Sequence, residues 1–222
     1  MSDVTYVRLL DLACGAFLLA AVLVLWRRDL AAIVRLFAIQ GAALAALVAV
    51  LGVHEGLDGH GAELLALAAG LAVLRAVVLP RLLRRAIVGG DVRETEPLVN
   101  VAASLVVAAG LALLSYAVTR PVVALEPSPA VRAVPVALTV VLIGFFVLVT
   151  RRRALSQVVG FLLVDNGITA VAFLTTSGVP LIVELGVSLD VLLAVLVLQV
   201  LTARMRAAFG GTDLDDLREL RD

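Results

Sequence analysis

Lysine is absent from this chain, so all of its positive charge is arginine, and 18 arginines are balanced by 18 acids. That balance excludes the basic face of a nucleic-acid-binding protein. Cysteine occurs once, as Cys14, so disulfides, cysteine-held iron–sulfur clusters and cysteine-based metal sites within the chain are ruled out by count. Any redox chemistry must sit on a partner. Charge of either sign is scarce, at 16% of residues, and aromatics are scarcer, at 5%. Aliphatic side chains fill the space instead: 62% of the 222 residues are hydrophobic, and mean hydropathy is +1.11. No water-soluble core needs that much apolar side chain, and the composition is that of a polytopic membrane protein.

A helix crosses the hydrocarbon layer with roughly 20 apolar residues. Seven segments qualify, at 5–26, 31–53, 62–83, 97–118, 131–150, 157–177 and 180–203. Strict alternation of apolar and polar residues is missing, which disfavours a β-barrel. The expected fold is therefore all-α, a polytopic membrane protein with seven transmembrane helices. The first apolar run ends at Trp26-Arg27-Arg28 without a small-residue cleavage site, and reads as a retained span, not a signal peptide. Arginines follow every second span: Arg27 and Arg28; Arg81, Arg84, Arg85 and Arg93; Arg151, Arg152 and Arg153; Arg204 and Arg206. The positive-inside rule makes those loops cytoplasmic, which puts the N-terminus outside and the C-terminus in the cytoplasm.

Polar residues inside the spans carry the functional signal. The stretch GFLLVDNGITAVAFL, residues 160–174, places Asp165 and Asn166 at the centre of the sixth span. Asn-Gly is also a hairpin signal, but the flanks are continuous apolar runs with no period of two. Arg75 lies slightly cytoplasmic of centre in the third span, Asp190 at the centre of the seventh, and Gln40 near the middle of the second. Each ionisable group costs roughly 2.5–3.5 kcal/mol on insertion scales, and such groups face a bundle interior or a watery cavity and mark ion or proton routes. Desolvation favours a neutral acid and a neighbouring arginine favours the anion. A carboxylate balanced between the two can take up and release a proton. Glu184 precedes Asp190 by roughly 9 Å along the helix axis and would serve the outer end of such a route. The competing reading makes Asp165 and Asn166 hydrogen-bonding glue between helices. Arg75 releases no proton at any relevant pH, so it is a counter-charge or tuning group, as are Asn166 and Gln40.

Other polar groups read more plainly. His54 and His60 in HEGLDGH are off a common helix face, and two glycines break the helix between them, so a solvated outer loop is expected and no metal site. Arg35 snorkels toward the cytoplasmic surface. The tail GGTDLDDLRELRD has Thr212 and Asp215 placed as a capping box and leucines every three residues, which suits a short docking helix or a frayed tail. Shifting the chain by 125 aligns Arg27 and Arg28 with Arg152 and Arg153 and puts Gln40 opposite Asp165. Two readings stay open, a degenerate three-helix repeat and chance similarity between apolar helices. The repeat reading divides the chain into an N-terminal three-helix unit (1–96), a linking fourth helix and outer loop (97–130), a second three-helix unit (131–206) and a cytoplasmic tail helix (207–222).

GFLLVDNGITAVAFL, followed by PLIVELGVSLDVLLAVLVLQVL and FGGTDLDDLRELR, resembles the hydrogenase-4 component E family of membrane subunits. The likeness is concentrated in 155–222; LRAVVLP (74–80) carries a thinner match. Through that family the C-terminal half is similar to the K subunit of complex I and to the C subunit of multisubunit cation/proton antiporters. The resemblance implies a subunit, itself without redox chemistry, of a group 4 type nickel–iron hydrogenase or related complex in a bacterial or archaeal cytoplasmic membrane. Proton movement through the membrane arm would be coupled to electron transfer in a cytoplasmic arm. Its partners would be antiporter-like and complex-I-like membrane subunits and the hydrogenase arm, with the nickel–iron centre and iron–sulfur clusters on those partners and no cofactor on this chain. In that setting Asp165, Asp190 and Glu184 are the relay candidates. Asp165 stands where the family has Glu, and Arg75 where it tends to have Lys, which puts a Lys-dependent relay in the N-terminal half in doubt. An antiporter subunit and an assembly scaffold are the alternatives.

Overall fold

Four of the described helices begin where a short polar side chain takes up a free backbone N–H. The computed structural model describes residues 1–56, 59–87 and 99–176. Ser2 caps α1 (Asp3–Trp26) by accepting from the Thr5 N–H, and Asp29 caps α2 (Leu30–Glu55) by accepting from the Ala31 N–H at 3.1 Å. The reversal after α2 uses two glycines with positive φ, Gly56 at 107° and Gly59 at 58°, a conformation open to residues without a Cβ. The third span runs as α3 (His60–Leu71), a π-helical segment (Ala72–Val78) and α4 (Leu79–Ile87). Asn100 caps α5 (Val101–Leu125), and Ser128 with Pro129 opens the short α6 (Pro129–Arg132), which leads into α7 (Val134–Thr150). The last described helix is α8 (Ala154–Thr176).

Six stretches of these helices are long and apolar enough to cross a membrane: Asp3–Trp26, Leu30–Glu55, His60–Arg85, Val101–Leu125, Pro129–Thr150 and Leu155–Thr175. The protein is thus a multi-pass membrane protein, all-helical over the described residues. The expected seventh span, 180–203, lies outside the described residues, as do Glu184, Asp190 and the tail 207–222. The fourth span differs most from the sequence expectation, at both ends, while the other five agree to within about two residues. The fourth span was expected at 97–118 but occupies Val101–Leu125, continuing through Arg120 and Pro121. Asn100 sets the later start by capping, and a membrane helix absorbs the one hydrogen bond that Pro121 cannot donate.

Close backbone approach organises the packing. The tightest pairing is between α7 and α8, where Gly144, Gly160 and Gly167 line the contact. A Cβ at Gly144 would fall 2.7 Å from the Val164 backbone nitrogen, and one at Gly160 would fall 3.0 Å from that of Leu148. Small residues at such crossings let helices touch where no hydrophobic effect draws them together. Phe17, Phe37 and Phe173 are fully buried in the core that α1, α2, α7 and α8 share. By contrast, α5 packs chiefly on α7 and leaves much of its length open, with Val106 73%, Leu113 74% and Leu125 87% exposed.

The links after α1 and α7 are built alike. Arg27 closes α1 with φ −85° and ψ 141°, and Arg151 closes α7 with φ −91° and ψ 138°. This geometry matches Arg27 with Arg151, one residue away from the match by sequence. Arg151 is 4% exposed, and its Nη2 donates to the carbonyls of Val24, Leu25 and Arg27, each at 3.1 Å. A residue read from sequence as a loop charge therefore also satisfies the open end of α1.

Candidate functional site

The third span widens where it carries its buried charge. In the π-helical segment the Leu79 N–H reaches back five residues to the Leu74 carbonyl. Pro80 lies just beyond. It has no N–H for the carbonyl four residues back, and in a regular helix its ring would crowd that carbonyl. The widened turn ahead of Pro80 accommodates this change of register and presents Arg75 to the bundle interior.

On the other side of Arg75, α2 supplies a glycine. A Cβ at Gly41 would lie 2.7 Å from the carbonyl carbon and oxygen of Arg75 and 3.0 Å from its Cβ, so the two backbones meet there and only glycine fits. That contact sets Gln40, the preceding residue, beside the same depth of the bundle.

Gln40, Arg75 and Asp165 each lie ten residues in from the end of their span nearest the arginine-bearing links, counting from Leu30, Arg85 and Leu155. Ten residues is about 15 Å of helix, half the thickness of a hydrocarbon layer of about 30 Å. Their contacts bring these three residues to one level of the bundle. Arg75 is 1% exposed, and its Nη1 lies 2.6 Å from Asp165 Oδ2. The same nitrogen donates to Asn166 Oδ1, and Nη2 donates to Thr169 Oγ1 at 3.0 Å. Asn166 in turn donates through Nδ2 to Gln40 Oε1 at 2.8 Å. Four buried side chains and one partly open carboxylate thus form one network across α2, the third span and α8.

Within the network the groups differ in access. Gln40, Asn166 and Thr169 are at most 4% exposed, whereas the Asp165 side chain keeps 12%. Asp165 lies on α8 between Phe161 and Ile168, which are 44% and 56% exposed. The group able to exchange a proton is therefore also the one nearest an open face. Gln40 Nε2 is buried without a hydrogen-bond partner among the described residues, which leaves its two N–H donors inside the bundle for further acceptors.

Four of the six residues singled out from sequence, Gln40, Arg75, Asp165 and Asn166, are brought together. The other two, Asp190 and Glu184, lie outside the described residues. Thr169 was missed, although its spacing announces it: it follows Asp165 by four residues and Asn166 by three, which puts all three on one side of α8. His54 and His60 take separate surroundings. The His54 ring stacks on Tyr6 with centroids 3.8 Å apart, and His60 Nδ1 lies 3.8 Å from Glu63 Oε2. Among the described residues no three His, Cys, Asp or Glu side chains converge as metal ligands.

The chain is 55% identical, over the whole of both sequences, to the uncharacterized protein Rv0085 of Mycobacterium tuberculosis, and it belongs to the same family as that protein. It is also 32% identical to hydrogenase-4 component E of Escherichia coli K12 over 114 residues, which cover 51% of this chain and 53% of that one. The corresponding protein of Shigella flexneri matches to the same extent. These matches make the chain a distant relative of hydrogenase-4 component E over about half its length. No protein-family model matches the chain, and no solved structure does.

Proposed function

We propose that this protein is a membrane-arm subunit of a group 4 type nickel–iron hydrogenase or related complex-I-like assembly, and that it helps move protons in step with electron transfer on its partners. The observation that carries the reading is the mid-membrane pair of Arg75 with a partly open Asp165, held in a hydrogen-bonded network. The distant relationship to hydrogenase-4 component E supports the setting. This chain offers a nickel–iron centre or an iron–sulfur cluster no cysteine set, since Cys14 stands alone. Those groups belong to partner subunits in this reading.

The geometry supports a specific cycle at Asp165. With the carboxylate charged, Arg75 balances it at 2.6 Å. When Asp165 takes a proton the ion pair is lost, yet the guanidinium keeps Asn166 Oδ1 and Thr169 Oγ1 as acceptors and stays in place. Gln40 holds Asn166 through its amide while this happens. Asp165 can therefore change protonation without rearrangement of the helices around it, and Arg75 tunes the exchange without joining it. Asp190 is the next carrier and Glu184 the outer uptake group in this proposal.

Asp165→Asn in the assembled complex tests the reading. Hydrogenase-type turnover with proton movement into inverted vesicles abolished, at unchanged complex yield, is the expected result. Unchanged proton movement would remove Asp165 from the route. Reduced yield with normal coupling per complex would make the network structural, as an assembly scaffold requires. A requirement for Na⁺ would point to a cation/proton antiporter subunit.

A further inference from the structure

A cavity of about 310 Å³ lies between the end of α5 and the start of the fifth span, and it shares no residue with the Arg75 network. Tyr116, Thr119, Arg120 and Arg132 supply its polar wall, Val123 and Pro135 its apolar one, and no carboxylate lines it. Both guanidiniums are exposed, and neither has an ion-pair or hydrogen-bond partner among the described residues. The cavity sits at the N-terminal end of α7. The other end of α7 is the one that Arg151 ties to α1, so this pair of arginines is separate from the arginine-rich links.

Depth and shape narrow the ligand. The 25 residues of α5 span about 37 Å, more than the hydrocarbon layer of about 30 Å, and Arg120 lies about 7.5 Å from the helix end. With α5 entering at one face of that layer, Arg120 falls at the other face, next to the lipid headgroups. Seven and fourteen residues before Arg120, on the same side of α5, Leu113 is 74% and Val106 73% exposed, an open apolar strip that runs from the cavity toward the middle of the helix. Two guanidiniums match phosphate oxygens in geometry and charge. A polar mouth above an apolar strip matches one amphipathic molecule better than a free anion.

We propose that this cavity binds an anionic phospholipid, with Arg120 and Arg132 on its phosphate and its acyl chains along α5. The full-length protein in mild detergent, titrated with phosphatidylglycerol, phosphatidylcholine or inorganic phosphate and read by native mass spectrometry, tests this. Phosphatidylglycerol should stay bound where phosphatidylcholine does not, and inorganic phosphate should fail to displace it. Arg120→Gln with Arg132→Gln should weaken phosphatidylglycerol about thirtyfold, and each single change about fivefold. Should the double variant fail to fold, the single variants carry the same test. Equal retention of the two lipids, displacement by inorganic phosphate, or unchanged affinity in the variants would overturn the proposal. So would loss of bound lipid when a partner subunit docks on the same arginines.

Discussion

Replacing Arg75 by methionine perturbs the centre of the bundle most directly. The side chain is 1% exposed, and its guanidinium engages Asp165, Asn166 and Thr169 together. Methionine fills much of the same volume but leaves the carboxylate facing neutral groups. Breaking a buried ion pair from one side costs about 3–5 kcal/mol. Asp165→Asn should cost less, about 2 kcal/mol, because the amide oxygen still accepts from the guanidinium and a bond to a charged group is worth about 1.5–3 kcal/mol. The double variant Arg75→Met, Asp165→Asn has no unpaired charge. It should therefore be less destabilised than the sum of the single changes, by about 2 kcal/mol or more. Denaturant-induced unfolding of the four proteins in one detergent, at fixed pH and salt, gives the coupling. A coupling within about 0.5 kcal/mol of zero would refute the pairing, and so would an Arg75→Met protein that unfolds with the native one.

Three further outcomes follow from packing and capping. Gly41→Ala forces a Cβ to 2.7 Å from the Arg75 carbonyl and should cost about 1–3 kcal/mol, whereas Gly15→Ala, with nothing within 4 Å, should be close to neutral; thermal unfolding of both checks the contrast. Thr169→Val keeps the shape of the side chain and removes one acceptor from Arg75, for a loss of about 1 kcal/mol measured in the same assay. Arg151→Ala uncaps three carbonyls of α1 and should cost about 2–3 kcal/mol, with Arg151→Lys recovering part; hydrogen exchange at the end of α1 should speed up in the alanine variant.

Polar residues in an apolar chain advertise depth, which is why Gln40, Arg75, Asp165 and Asn166 were readable before any contact was known. Depth is one coordinate; rotation about the helix axis is another, and it depends on which helices pair. The widened turn at Ala72–Val78 changes that rotation for Arg75, and only Pro80 hinted at it. Thr169 hid because threonine is common in membrane helices and its partner comes from another span. The second role of Arg151 was hidden for a different reason. An arginine after a span signals the cytoplasmic side by count alone, and nothing local distinguishes one that faces water from one that turns back onto a neighbouring helix. The extension of α5 to Leu125 was hidden by Arg120 and Pro121, which end helices in water more often than in a bilayer.

The contact of Arg151 with α1 also sets an order of events during synthesis. The carbonyls of Val24, Leu25 and Arg27 wait for a donor that lies more than 120 residues downstream. At roughly 5–20 residues per second, the ribosome takes some 6–25 s to reach it. Through that interval the first hairpin sits in the bilayer with one end unfinished, where a chaperone or insertase can hold it or a protease can sample it. Arrival of the α7–α8 link closes that window, so the same arginine that completes a helix end also ties the first hairpin to a span made much later.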